Sequence, residues 1–242
     1  MSASQEESMI ISRTVQQCGK ADYGWLQARY TFSFGHYFDP NLLGYASLRV
    51  LNQEVLTPGA SFQPRTWPKV DVLNLILQGE AEYRDSHGGC VAAGVSDVLL
   101  LAAQPDVSYS EHNLSSEQPL TRMQLWLDAC PERENAPVQR LALTKEANYT
   151  LLASPDGVDG SLQLRQQAWV HHVRLEPDEA CTLPLRGSRA YLQSVHGNLT
   201  VTASSADKQT LACGDGAFIQ EENSITLVAN TPTRALIIDL AE

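Results

Sequence analysis

Short apolar runs rich in branched residues alternate with turn residues along nearly the whole chain. Residues 70–77, 97–101 and 123–127 are such runs. Around them fall Asp39-Pro40-Asn41, Pro58-Gly59, Gly79, Asp85-Ser86-His87-Gly88-Gly89, Gly94, Pro105-Asp106 and Asn113-Leu114-Ser115-Ser116. A turn signal about every 8–12 residues predicts an all-β sandwich or barrel, with helix limited to short segments. Glu82 and Tyr83 lead into the turn at 85–89 as one arm of a hairpin.

Residues 128–137, DACPERENAP, interrupt this pattern and read as an interdomain linker. After 139–148 the alternation resumes, with strands predicted at 163–175, 190–195, 197–203, 216–219, 225–228 and 235–240. Two landmarks of the first half recur. Leu77-Gln78-Gly79-Glu80-Ala81 matches Ser194-Val195-His196-Gly197-Asn198, and Ala93-Gly94-Val95-Ser96-Asp97 matches Cys213-Gly214-Asp215-Gly216-Ala217. The repeat predicts two similar barrels in tandem, 9–130 and 139–242, joined by a linker at 131–138 and packed as a monomer. Asp156-Gly157-Val158-Asp159-Gly160 lacks the alternating ligands and distal glutamate of a calcium loop and reads as a β-turn pair. Residues 1–8, MSASQEES, lack the basic region and apolar core of a signal peptide and read as a disordered leader.

Composition narrows the function. With 43% hydrophobic and 19% charged residues, the chain of 242 residues matches an ordinary globular protein. Its 17 basic against 28 acidic residues give −11, a field that repels nucleic acid and anionic membrane surfaces. No apolar run approaches the roughly 18 residues that span a bilayer. The five cysteines, Cys18, Cys90, Cys130, Cys181 and Cys213, are odd in number and widely spaced. That argues against a disulfide framework or thiolate zinc site and for a reducing cytoplasm. Gly-x-Ser-x-Gly, the P-loop and His-Glu-x-x-His are all absent.

The candidate chemistry lies in two motifs. Gly59 is followed, after five residues, by Arg65, then Trp67, then Asp71; later SYSEHN supplies Tyr109, Glu111 and Asn113. Residues two apart on a strand share a face, so positions 65, 67, 109 and 111 can converge inside a barrel. The spacing resembles the paired motifs of cupin-type jelly-roll barrels, which hold a transition metal through histidines at the first three positions. Trp25, TFSFGHYFDP (31–40), YASLRV (45–50) and DGSLQLRQ (159–166) resemble the pirin family of bicupins, over residues 9–242. Iron-containing pirins hold their metal through three His and one Glu, and several oxidise quercetin with dioxygen. The resemblance maps those ligands onto Arg65, Trp67, Tyr109 and Glu111, of which only Glu111 matches.

Arg65 can pair with Glu111, while Trp67 and Tyr109 fill the volume of the ion and its waters. This reads either as a packed, metal-free interior or as a pocket binding an organic acid or aromatic ligand on Arg65 and Trp67. No cofactor is expected. The alternative is a dioxygenase holding iron through Glu111, Tyr109 and His112. Restoring a family site is expected to need at least Arg65→His, Trp67→His and Tyr109→His together. His112 follows Glu111 and should face away from it, and His171 and His172 cannot both face one site. His36 is expected to make a structural hydrogen bond in its loop, and His87 and His196 to be exposed. Cys18, between Gln17 and Gly19 with Lys20 beyond, is read as an exposed thiol that Lys20 activates as a redox sensor.

Overall fold

The computed structural model describes residues 9–95, 97–144 and 148–241; the leader expected at 1–8 lies outside them. Among the described residues there is no α-helix, and two short 3-10 segments, Val15–Gln17 and Val158–Gly160, interrupt an otherwise all-strand chain. The fold is a pair of jelly-roll barrels, each a large antiparallel sheet facing a four-stranded one. Among the described residues no helix is long and apolar enough to cross a membrane.

In the N-terminal barrel the large sheet runs in the order Val138–Ala142, Asp97–Ala102, Val70–Gln78, Leu120–Asp128, Leu48–Leu56, Leu26–Tyr30, Gly19–Asp22. Val70–Gln78 is buried from Val70 to Ile76, which is why its sequence is a continuous apolar run rather than an alternating one. The edge strands alternate with charge instead: Lys20 and Asp22 at one edge, Arg140 at the other. Charge at an edge discourages pairing with another chain. The small sheet runs Ser61–Thr66, Ser108–Asn113, Glu80–Asp85, Cys90–Gly94, and the last two strands form the hairpin expected around the 85–89 turn. Leu26, Leu56, Val72, Ile76, Leu99, Leu101 and Leu120 pack between the sheets. Burying each such side chain fully is worth about 1.5–3 kcal/mol.

The C-terminal barrel repeats the plan. Its large sheet places Met9–Arg13, Gly216–Gln220, Arg189–His196, Thr233–Leu240, Ala168–Leu175 and Tyr149–Ser154 side by side. Its small sheet runs Ala180–Pro184, Ser224–Ala229, Leu199–Ala203, Lys208–Leu211. The first sequence landmark is a true equivalence. Gly79 and Gly197 both turn the chain at positive φ, 80° and 78°. A Cβ on either would meet a proline carbonyl, Pro119 O at 2.7 Å or Pro232 O at 2.1 Å. Only glycine fits such a turn without strain. The second landmark is shifted by two residues. Asp97 accepts the Gly94 N–H at 2.8 Å and Asp215 accepts the Ala212 N–H at 2.9 Å, so Asp97 corresponds to Asp215.

Three segments, 9–17, 139–144 and 155–166, change sides relative to the boundaries expected from the sequence. One compact unit contains 18–144 together with 155–166; the other contains 9–17, 148–154 and 167–241. Met9–Arg13 pairs with Gly216–Gln220, and Val138–Ala142 pairs with Asp97–Ala102. The expected single strand at 163–175 is broken, because Arg165 gives its backbone N–H to the Asp71 carboxylate at 2.6 Å instead of to a ladder. The turn expected at 156–160 is a 3-10 segment with Gly157, Asp159 and Gly160 at positive φ.

Candidate functional site

The interior of the N-terminal barrel carries a polar ladder inside apolar strands. On Leu120–Asp128, residues Arg122, Gln124 and Trp126 share the inward face. Arg122 lies opposite Glu54 and Gln124 opposite Asn52 on one neighbouring strand, and Gln124 lies opposite Asn74 on the other. Glu111 enters from the facing sheet, where it sits between Phe62 and Tyr83. A one-residue bulge at Gln63 and Pro64 separates the Phe62 and Arg65 pairings. Proline has no ladder N–H to lose there.

These elements put two carboxylates around one guanidinium. Arg122 and both glutamates are no more than 1% exposed. Arg122 donates to Glu54 Oε2 through Nη2 at 2.6 Å and Nε at 3.1 Å, and through Nη1 to the Tyr83 hydroxyl at 2.9 Å and to Glu111 Oε2. Gln124 donates to the same Glu111 oxygen at 2.9 Å and to Asn74 at 2.9 Å. Its own carbonyl accepts Trp126 Nε1–H at 3.0 Å. Arg65 completes the set, with Nη2 at 3.1 Å from Glu111 Oε1. Two arginines thus balance two glutamates. Burial alone would push the Glu111 carboxyl up; the charges of Arg122 and Arg65 and the hydrogen bonds from Arg122 and Gln124 outweigh it and hold it below its usual range. Burial likewise opposes the Arg122 charge, but Glu111, Tyr83 and Glu54 keep it protonated.

Trp67 and Tyr109 stack at 4.5 Å with their planes 7° apart, and Trp67 leans on Trp126 at 5.8 Å. Both are buried. Arg65 is the exception among the four positions, with its side chain 33% exposed. Its guanidinium lies over the Phe62 ring at 4.6 Å, and Trp25, 38% exposed, meets Phe62 edge-on at 5.1 Å. A cation lying on one aromatic ring, which a second ring meets edge-on, therefore reaches the surface at this point of the barrel.

The metal implied by the resemblance does not fit these residues. Guanidinium and indole offer no lone pair to a metal. The Tyr109 hydroxyl accepts the Gln104 N–H at 3.2 Å, and burial pushes its pKa up, which keeps it a neutral phenol. Both Glu111 oxygens are committed to Arg65, Arg122 and Gln124. His112 follows Glu111 and bonds Ser110 Oγ at 2.8 Å, so it does not join a ligand set with Glu111 and Tyr109. Among the described residues no group of three His, Cys, Asp or Glu side chains could hold a metal ion. Replacing Arg65, Trp67 and Tyr109 by histidine would leave Arg122 on the one remaining carboxylate, so restoring a site requires a change at Arg122 beyond the three substitutions expected as a minimum.

The other motif residues are structural. Asp71 is fully buried, and Arg165 reaches it with Nε at 2.9 Å while its Nη2 donates to Val70 O at 2.8 Å and Ala103 O at 3.2 Å. The acid of the first motif thus clamps the 155–166 segment to its barrel. Asn113 ties one turn with Nδ2 bonds to the carbonyls of Leu56, Thr57 and Gln118 at 2.9–3.3 Å. In the signature loop the organising hydrogen bonds belong to Ser33, whose hydroxyl donates to Asp39 O and accepts the Asp39 N–H, each at 2.8 Å, and not to His36. His36 is exposed, edge-on to Tyr23 at 6.3 Å. His87 and His196 are exposed. Cys18 is partly buried, where exposure was expected; Cys90 and Cys213 are the exposed thiols.

Arg122, Gln124 and Glu54 were not singled out in the sequence. Their signal is polar residues at every second position of an apolar strand, which marks a face but not which face is inside.

A pirin family model matches residues 11–127, and a model described as the quercetinase C-terminal cupin domain matches residues 151–240. The chain is 66% identical to the pirin-like protein YhaK of Escherichia coli, over 96% of this chain and 99% of that one. It is 31% identical to an Escherichia coli quercetin 2,3-dioxygenase, again over 96% and 99%. The crystal structure of YhaK superposes with a TM-score of 0.81, covering 94% of this chain and 100% of that one. The Escherichia coli pirin YhhW in complex with nickel(II), 29% identical, superposes at 0.87, covering 96% and 99%. Fold, motif spacing and relatives agree: the chain belongs to the pirin family of bicupins.

Proposed function

We propose that this chain is a metal-independent, non-catalytic pirin whose N-terminal barrel binds a small anionic or aromatic molecule at Arg65. The observation that carries the reading is Arg122, seated between Glu54 and Glu111. A fixed organic cation there does the electrostatic work that a bound metal does elsewhere, and it needs no exchangeable ligand. Arg65, Phe62 and Trp25 supply the recognition chemistry: a guanidinium for a carboxylate or phenolate, and aromatic faces for a ring. Such a role suits a cytoplasmic monomer.

A second reading, quercetin oxidation, draws on the 31% identical dioxygenase. One set of measurements separates the two. Protein purified without chelators should carry well below one metal ion per chain and should not bleach quercetin aerobically. Stoichiometric iron together with chelator-sensitive loss of quercetin absorbance would establish the dioxygenase reading instead. A thermal-shift screen of aromatic acids on the parent and on Arg65→Ala should then give stabilisation that the substitution abolishes.

A further inference from the structure

The C-terminal barrel carries a pair of like charges that the N-terminal site does not use. Arg174 on Ala168–Leu175 stands directly opposite Arg234 on Thr233–Leu240, and His196 faces Arg234 from the next strand. Directly opposed residues on antiparallel strands put their side chains on one face, with Cβ atoms about 4.5–5.5 Å apart. Their neighbours Val173, Ala235 and Ile237 point into the barrel core, so the arginines point away from it.

Like charges so placed repel, and something must repay the cost. Among the described residues nothing does: neither arginine has a carboxylate in salt-bridge range. Arg174 Nε and Arg234 Nη2 are buried nitrogens with no hydrogen-bond acceptor. Such donors are costly unless satisfied. Arg234 Nε is instead directed at His172 Nε2, 3.4 Å away, and that ring is only 2% exposed. Burial, then Arg234 and Arg174, push the His172 pKa down to about 3, so the ring stays neutral and can accept. It thereby fixes the rotation of the Arg234 fork.

We propose that Arg174 and Arg234, oriented by His172, bind a phosphoryl oxyanion, either free phosphate or a phosphate monoester. A carboxylate has two oxygens, which one bidentate guanidinium already satisfies. A phosphoryl group has three, enough for two forks arriving from adjacent strands.

The test is thermal unfolding of the full chain at constant ionic strength, with phosphate replacing chloride. At about ten times its dissociation constant, phosphate should raise the midpoint by about 3 °C. Arg174→Gln and Arg234→Gln should each weaken phosphate binding at least about tenfold, which cuts the shift to about 1 °C or less. In chloride alone both variants should be as stable as the parent or more so, because a repulsion has been removed. A purely structural role predicts the reverse: lower midpoints in chloride and an unchanged phosphate response. Equal stabilisation by acetate, or a phosphate effect that survives both substitutions, overturns the proposal. Inorganic phosphate against glycerol phosphate identifies the source: a stronger response to the ester marks an esterified ligand, and a response to the inorganic ion alone marks free phosphate.

Discussion

Arg122 holds two buried carboxylates and Glu111 holds one end of the same network, so the two residues should differ sharply on mutation. Among the described residues, Arg122→Ala leaves Glu54 with only Asn52 Nδ2 at 3.3 Å and Glu111 with Arg65 and Gln124. We predict a loss of about 3–5 kcal/mol, the cost of stranding buried charge. Glu111→Gln keeps an acceptor for Arg122 and should cost about 1–2 kcal/mol. Urea unfolding of both variants measures the difference. The triple replacement Arg122→Met, Glu54→Gln, Glu111→Gln should recover most of the Arg122→Ala loss, since an interior with no charge has nothing to compensate. Equal losses for the two single variants would show that the charges are not coupled as the geometry implies. Arg65, Trp67, Tyr109 and Glu111 were legible because a motif fixes their spacing. Arg122 was not, because its partners lie 68 and 11 residues away and only the closure of the barrel brings all three together.

At the scale of an element, the strand Ala168–Leu175 carries two adjacent histidines that face opposite ways. His171 bonds the Tyr149 hydroxyl at 2.8 Å, and His172 receives Arg234. Burial first and Arg186 second push the His171 pKa from 6.5 down to about 4; His172 is pushed to about 3 by burial, Arg234 and Arg174. The unfolded chain therefore takes up protons near pH 6.5 that the folded rings refuse. This contribution to stability is complete above pH 6.5, falls as the pH drops below it, and levels off once the folded rings titrate. We predict that the urea midpoint declines between pH 6.5 and 5, above the range where carboxylates dominate, and that His171→Gln flattens the slope. A flat profile in the parent would mean that the rings are protonated in the fold. The strands themselves were largely legible, since alternation and turn residues are local signals. The break before Ala168 was not, because it depends on Asp71, 94 residues earlier, claiming the Arg165 N–H.

For the whole molecule, the same salt bridge determines where the chain can be divided. A cut at the polar linker looks natural in composition, yet a fragment of residues 1–137 lacks both the Val138–Ala142 edge strand and Arg165. It would leave Asp71 fully buried without its counter-ion, a penalty of about 3–5 kcal/mol. We predict that 1–137 fails to unfold cooperatively, while 1–166 regains a sharp transition by near-ultraviolet circular dichroism. Cooperative unfolding of 1–137 at parent-like stability would refute the role given to Arg165. Tandem repetition was visible in the sequence because each barrel repeats its own turns; the exchanged segments were not, because strand pairing across that distance leaves no local mark.

The position of Met9–Arg13 has a consequence for how the protein is made. The Ile10 N–H is held by Asp207 at 2.8 Å, 197 residues away, and the Val15 N–H by Asp215 at 2.7 Å, 200 residues away. At ribosomal rates of about 5–20 residues per second, this strand waits about 10–40 s after its own synthesis for its neighbour to be made. During that interval it is an unpaired edge, open to any other extended chain. Birth order and folding order therefore run opposite ways for this strand, and the nascent chain needs it shielded until Asp207 and Asp215 have been made.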